Sequence, residues 1–177
     1  MGNVIWITGL SGAGKSTLAN ALAEYMRQQG KIPIVLDGDL LRDILNSTDF
    51  STENHGREAR LALATQYSKL CKTLAEQGHT IIIATISLFN EIHTWNRQNL
   101  PGYFEVYLSV PIDELRRRDP KGIYSQFDAG DLCNVTGLDL PYDEPLEPDI
   151  ILKSSLYITP QSAFEALLDN LKRKKIL

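Results

Sequence analysis

Residues 9–17 read GLSGAGKST and directly follow a short apolar run, VIWIT, at residues 4–8. They fit the spacing G-x-x-x-x-G-K-[ST], with Lys15 and Ser16 at its end, and an amphipathic segment comes next. In such a loop the glycines let backbone N–H groups turn toward phosphate oxygens, the lysine reaches the outer phosphates and the hydroxyl binds Mg²⁺. The stretch therefore predicts a phosphate-binding loop between a buried strand and a helix.

Apolar runs typical of strands alternate with amphipathic runs typical of helices along the rest of the chain. We expect strands at residues 4–8, 32–36, 80–85, 103–110 and 149–152, and helices at 15–29, 40–45, 58–77, 90–98, from 112 onward and at 160–172. Strands separated by helices imply a parallel sheet that binds ligands beyond the carboxyl ends of its strands. The expected fold is α/β, a three-layer P-loop nucleoside triphosphate hydrolase-like fold with a mostly parallel sheet and helices on both faces, in one domain of residues 1–177.

A segment of about residues 118–148 differs from the rest of the chain. Between residues 119 and 148 it holds four prolines, three glycines and few apolar positions. An irregular segment of this length within a compact domain is usually functional or disordered. We therefore predict a lid.

Composition excludes several classes of protein. The 177 residues carry a formal net charge of -4, which argues against a nucleic-acid partner, because such surfaces need clustered cations. No stretch approaches the ~18 apolar residues of a membrane helix, so no membrane partner is expected. Cys71 and Cys133 are far apart and outside any metal spacing, which favours reduced thiols and, with no signal peptide ahead of the first strand, a cytoplasmic location.

The second predicted strand ends in a turn with two carboxylates, Asp37-Gly38-Asp39. If this strand lies next to the first, as in many mononucleotide-binding folds, both carboxylates face the phosphate site. A carboxylate that accepts the proton of an acceptor hydroxyl is a recurring part of phosphoryl transfer. A solvated turn explains the local sequence equally well.

The apolar strand at residues 81–83 continues into Ala84-Thr85-Ile86-Ser87 without an acidic residue. A motor or switch protein usually has a metal-binding aspartate after such a strand. Its absence here argues against a motor ATPase and favours a small kinase.

Five stretches together resemble the adenylylsulfate kinase family. They are GLSGAGKST, DGD followed by Arg42, the pair Phe50-Ser51, RDPKGIY at residues 118–124 and TGLDLPYDEP at residues 136–145. The resemblance covers nearly the whole chain. It implies transfer of the γ-phosphoryl group of ATP, with Mg²⁺, to the 3′-hydroxyl of a nucleotide acceptor, adenosine 5′-phosphosulfate or a close analogue, by a homodimer.

The resemblance also implies roles at matching positions. The catalytic residues are Asp39, the base that contacts the acceptor hydroxyl, with Lys15 and Asp37. The metal site is Ser16 and Asp37. ATP binds at Gly9, Ser11, Gly12, Ala13, Gly14, Lys15, Ser16, Thr17, Arg118 and Lys121. The acceptor binds at Asp39, Arg42, Phe50, Arg60, Ser87, Val135 and Thr136.

Departures from the family's pattern lie on the acceptor side. Leu40 and Glu58 each stand where asparagine is usual, His55 and Asn90 where arginine is usual, Cys133 where lysine is usual, and Val135 where a base-stacking aromatic residue is usual. Stacking on a base is worth ~1–3 kcal/mol, so its loss reshapes base recognition. Two accounts stay open. One is a divergent adenylylsulfate kinase with compensating changes elsewhere.

The other account is a changed acceptor. Relatives associated with bacterial surface polysaccharide phosphorylate cytidine 5′-diphosphoramidate, whose smaller base and lower charge match the direction of the substitutions. A nucleotide-dependent switch without transfer chemistry is a third hypothesis. The DGD turn and the RDPKG run argue against it, because a switch needs no carboxylate for an acceptor.

Overall fold

The fold is a parallel sheet covered by helices, seen in a computed structural model that describes residues 1–45, 56–153 and 159–177. The strands are β1 Val4–Gly9, β2 Ile34–Asp37, β3 Ile81–Thr85, β4 Tyr103–Ser109 and β5 Ile150–Lys153. The helices are α1 Lys15–Gln28, α2 Gly38–Leu45, α3 Arg57–Glu76, α4 Asn90–Asn99, α5 Ile112–Arg118, α6 Ile123–Asp128 and α7 Pro160–Arg173. Among these residues no helix has both the length and the apolar character needed to span a membrane.

The five described strands pair in parallel, in the order β2-β3-β1-β4-β5, which confirms the predicted α/β class. The expectation that the second strand lies beside the first is wrong, because β3 lies between β1 and β2. Every residue of β3 is buried, whereas those of β2 are half-buried. A strand that is buried along its whole length and mostly apolar is stable in the interior of a sheet, and the more exposed β2 forms the edge.

Two apolar cores lie on opposite faces of the sheet. The alternate residues Ile5 and Ile7 of β1 pack in the core that includes residues of α1, α5 and α7. Val4 and Trp6 pack in the core that includes residues of α2, α3 and α4. This alternation follows from the two-residue period of a strand and makes the sheet the middle of three layers.

A buried polar cluster fixes α4 to β4. The Glu105 side chain on β4 is only 3% exposed and contacts both His93 and Arg97 of α4. Arg97 also donates to Asp149 at 2.6 Å, just before β5. Since buried charges need partners, these contacts hold α4 at one position on the sheet.

The predicted lid is not wholly irregular, because it contains α6. The Asp119 carboxylate accepts hydrogen bonds from the backbone N–H groups of Tyr124 and Ser125 at 3.1 and 2.9 Å. Gly122, at φ 66°, supplies the left-handed residue before the helix. Six residues are too few to show a helical period in the sequence, so the prediction missed this helix.

Candidate active site

The loop GLSGAGKST connects β1 to α1 through three glycines with positive φ. Gly9, Gly12 and Gly14 have φ angles of 152°, 77° and 97°. A Cβ atom on Gly9 would lie 2.7 Å from the carbonyl oxygen of Leu108, so only glycine fits there. The loop therefore has the strand, turn and helix N-terminus of a phosphate-binding site.

Lys15 folds back over this loop. Its Nζ donates to the carbonyl oxygen of Leu10 at 2.8 Å. Burial lowers the pKa of Lys15 to about 8, and the positive charge of Lys121 acts in the same direction. An anion beside Lys15 would oppose both effects and favour its charged form.

Asp37, the last residue of β2, lies against the phosphate loop. The Ser16 Oγ donates to its Oδ2 at 2.5 Å, and the backbone N–H of Asp39 donates to its Oδ1 at 2.9 Å. The serine hydroxyl and the carboxylate thus come together across β3. Such hard oxygen ligands suit Mg²⁺, which is bound by one or two protein groups and completes its shell with phosphate oxygens and water.

Asp39 lies in the first turn of α2 between two cations. Lys121 Nζ contacts its Oδ2, and Arg42 Nη1 lies 3.4 Å from its Oδ1. Burial by itself would raise the pKa of Asp39, but the hydrogen bond from Lys121 and both cations lower it on balance. Asp39 is therefore held as a carboxylate.

The turn that carries Asp37 and Asp39 is fixed from beneath. The Tyr67 hydroxyl of α3 donates to the carbonyl oxygen of Gly38 at 2.9 Å. A Cβ atom on Gly38 would lie 2.9 Å from Thr85 Oγ1, so a larger residue would displace the turn from β3. Both contacts fix the position of the two carboxylates at the carboxyl end of the sheet.

The start of the lid rests on the phosphate loop. Tyr124 donates through its hydroxyl to the carbonyl oxygen of Ser11 at 2.9 Å, and Pro120 lies beside Gly12. Arg118, predicted at the ATP site, donates to Glu114 at 2.6 Å. Lys121, also predicted there, contacts the carboxylate of Asp39.

Arg60 of α3 holds the second half of the lid. Its Nη1 donates to Thr136 Oγ1 at 2.5 Å, and its Nη2 donates to the carbonyl oxygen of Asn134. Asp139 accepts from the N–H groups of Asn134 and Val135 at 2.7 and 2.6 Å and closes this loop on itself. Two predicted acceptor residues, Arg60 and Thr136, are thus brought together.

The other predicted acceptor residues differ in exposure. Arg42 is half-exposed beside Asp39, whereas Val135 and Ser87 are each only 7% exposed. Ser87 Oγ is hydrogen-bonded to Thr85 Oγ1 at 2.8 Å. Phe50, together with His55, lies outside the described residues.

Three residues that shape the site were missed by sequence reasoning. Asp139 lies within the run TGLDLPYDEP, which was a usable signal, and Tyr124 lies within RDPKGIY. Tyr67 has no local signal, because it is one of many positions on a long amphipathic helix. Its role depends on the contact with Gly38, which is 29 residues away in sequence.

Comparison with known proteins places this site in a family. Residues 1–153 match the family described as Adenylylsulphate kinase. Cytidine diphosphoramidate kinase of Campylobacter jejuni is 37% identical over 168 residues, which cover 95% of each chain. Adenylyl-sulfate kinase of Clostridium acetobutylicum is 38% identical and covers 99% of this chain and 86% of its own length.

A solved structure shows the same architecture. The Mycobacterium tuberculosis APS kinase in complex with AMPPNP and APS has a TM-score of 0.84 and 32% identity, over 97% of this chain and 98% of that one. The family match over residues 1–153 includes the phosphate loop, the carboxylate turn and the lid. By sequence and by structure, this chain belongs to the adenylylsulfate kinase family.

Proposed function

We propose that this chain transfers the γ-phosphoryl group of ATP to the 3′-hydroxyl of a nucleotide acceptor, adenosine 5′-phosphosulfate or a close analogue. The observation that carries the proposal is the position of Asp39. It is a carboxylate beside the phosphate loop that contacts Lys121 of the lid and Arg42 of its own helix. The M. tuberculosis relative, solved with AMPPNP and APS, supports this choice of substrates.

On the donor side, Lys15 and the loop amides bind the triphosphate. Ser16 and Asp37 would hold Mg²⁺, which would neutralise negative charge on the phosphates. Lys15, with a pKa of about 8, becomes fully charged beside an anion. Closure of residues 118–148 excludes water and limits wasteful hydrolysis of ATP.

On the acceptor side, Asp39 orients the 3′-hydroxyl and accepts its proton. A bond forms between the 3′-oxygen and the γ-phosphorus, the bond from that phosphorus to the β–γ bridging oxygen breaks, and ADP leaves. Lys121 and Arg42 lie beside Asp39 and stabilise the negative charge that spreads over the moving group.

Cytidine 5′-diphosphoramidate is the second candidate acceptor. The nearly buried Val135 lies on the loop held by Arg60. Its aliphatic side chain favours a smaller base than a site with two stacking aromatic rings would. The C. jejuni relative named for this substrate is similar over 95% of both chains. We propose that these departures set the identity of the acceptor.

A panel of acceptors with γ-labelled ATP and Mg²⁺ tests the proposal. It compares adenosine 5′-phosphosulfate, cytidine 5′-diphosphoramidate and a reaction without acceptor, followed by mapping of the labelled hydroxyl. We expect label at the 3′-position of one acceptor. ADP release that no acceptor stimulates would instead favour a nucleotide-dependent switch.

Assembly and location are proposed from the family resemblance and from composition. A homodimer predicts that light scattering gives twice the chain mass of 19.8 kDa. A cytoplasmic location predicts recovery of the chain in the soluble fraction of its native cell.

A further inference from the structure

Three segments of the chain meet at the exposed side chain of Arg57, the first residue of α3. Its Nη2 lies 2.9 and 3.0 Å from the two carboxylate oxygens of Glu91 on α4. The same nitrogen lies 3.4 Å from Asp143 Oδ2 at the end of the lid, and the guanidinium stacks 5.3 Å above the ring of Phe89. One cation thus joins α3, the start of α4 and the lid.

Asp143 connects the lid to α4 independently of Arg57. Its Oδ2 accepts from the backbone N–H of Asn90 at 3.1 Å, and its own N–H donates to the carbonyl oxygen of Leu88 at 3.1 Å. The residue that precedes α4, Phe89, supplies no capping side chain. The lid therefore provides the cap of α4, and the helix N-terminus favours its negative charge.

Arg57 and Arg60 lie one turn apart on α3 and contact opposite ends of one stretch of the lid. Arg60 holds Asn134 and Thr136, and Arg57 holds Asp143. Residues three apart lie on the same face of a helix, so both guanidinium groups project toward the lid. Because α4 is itself fixed to β4 by Glu105, Asp143 is tied to a rigid part of the fold.

We infer that Arg57 is a positioning residue, which sets the lid loop of residues 134–143 and through it the affinity for the acceptor. The inference rests on the proposed function, since this loop carries Val135 and Thr136. Arg57, Glu91 and Asp143 keep 45%, 53% and 34% of their side chains exposed. Exposed ion pairs are individually weak and screened by salt, so the contact opens readily as acceptor and product exchange.

Amide hydrogen exchange tests, without any substrate, whether Arg57 positions the lid loop. In Arg57→Ala we expect the amides of Asn90 and Asp143 to exchange roughly threefold to tenfold faster, and Arg57→Lys to restore part of the protection. Added salt should raise the exchange rates of these amides in the wild type toward the rates in Arg57→Ala, and it should leave the rates in that variant unchanged. Arg27→Ala, which removes an exposed ion pair with Glu24 on α1, is the matched control. Unchanged protection in Arg57→Ala would overturn the inference.

Steady-state kinetics test whether Arg57 affects the affinity for the acceptor. With whichever of adenosine 5′-phosphosulfate and cytidine 5′-diphosphoramidate the wild type phosphorylates, Arg57→Ala should raise the acceptor KM roughly threefold to tenfold. The KM for ATP and kcat should change less than about twofold. Faster amide exchange with an unaltered acceptor KM would also overturn the inference. Failure of the wild type on both acceptors would count against the proposed function, while the exchange result still decides whether the contact exists.

Discussion

Asp39 is the carboxylate on which the proposed transfer depends. Its replacement should therefore affect transfer more than it affects ATP binding. An asparagine at this position would keep the shape of the side chain but could not accept a proton or pair with Lys121 and Arg42. In Asp39→Asn we expect kcat to fall at least about a hundredfold, because general base catalysis contributes that much or more. The Kd for ATP should change by no more than about twofold, since Lys15 and the loop are untouched. Single-turnover transfer and nucleotide titration measure the two effects.

Asp43→Asn is the matched control for this substitution. Asp43 lies one turn further along α2 and is exposed, with no ion pair among the described residues. It should leave both transfer and ATP binding unchanged. Equal turnover in Asp39→Asn and the wild type would show that Asp39 is not the base.

The two cysteines are predicted to differ in reactivity. Cys71 is fully buried in α3, and burial raises its pKa to about 12, whereas Cys133 is exposed on the lid. At pH 8 the thiolate fraction of Cys71 is on the order of one part in ten thousand. We expect a thiol reagent to modify one cysteine per native chain and two after denaturation. Native Cys133→Ser should not react, and a second reactive thiol in it would contradict the packing of α3.

Helix α3 supports the carboxylate turn through one hydroxyl, that of Tyr67. Tyr67→Phe keeps the ring but leaves the carbonyl oxygen of Gly38 without this donor, at a cost of about 1 kcal/mol. For a chain of this size that lowers Tm by about 2–4 °C. Because Gly38 lies between Asp37 and Asp39, kcat should also fall. Thermal unfolding and turnover measure the two effects.

Tyr25→Phe is a suitable comparison for Tyr67→Phe. Tyr25 lies on α1, packs its ring edge-on against Phe164 and has no hydroxyl hydrogen bond within the part of the chain that the structure describes. It should leave both Tm and kcat unchanged. If Tyr67→Phe lowered Tm and kept full activity, the hydroxyl would stabilise the fold without positioning the carboxylates.

Local signals were enough to predict the phosphate loop and most strands and helices. Glycine spacing marks the loop, and the apolar periods of β1, α1 and β3 are clear because one face or both faces of each element are buried. The strand order could not be predicted. The neighbour of β2 depends on which apolar strand lies in the interior of the sheet with a strand on each side, and local sequence does not decide this. The short helix α6 was missed for lack of any period.

Contacts between residues distant in sequence account for the rest. Lys121 and Asp39 are 82 positions apart, and Arg60 and Asn134 are 74 apart. The resemblance assigned Lys121 to ATP and Arg60 to the acceptor. The fold shows the contacts themselves: Lys121 contacts the carboxylate of Asp39, and Arg60 donates to Thr136 and Asn134 of the lid. Side-chain partners of this kind follow only from the assembled sheet and its covering helices.

The position of β2 at the edge of the sheet has a consequence for how the protein fails. Asp37 ends, and Asp39 follows, a four-residue strand that is hydrogen-bonded to β3 alone among the described strands, whereas Lys15 follows the central strand β1. Edge strands open with less free energy than the interior of a sheet. Mild denaturant should therefore separate Asp37 and Asp39 from the phosphate loop while the central strands stay paired. Catalysis would then be lost through local opening of β2, before the global unfolding of the chain.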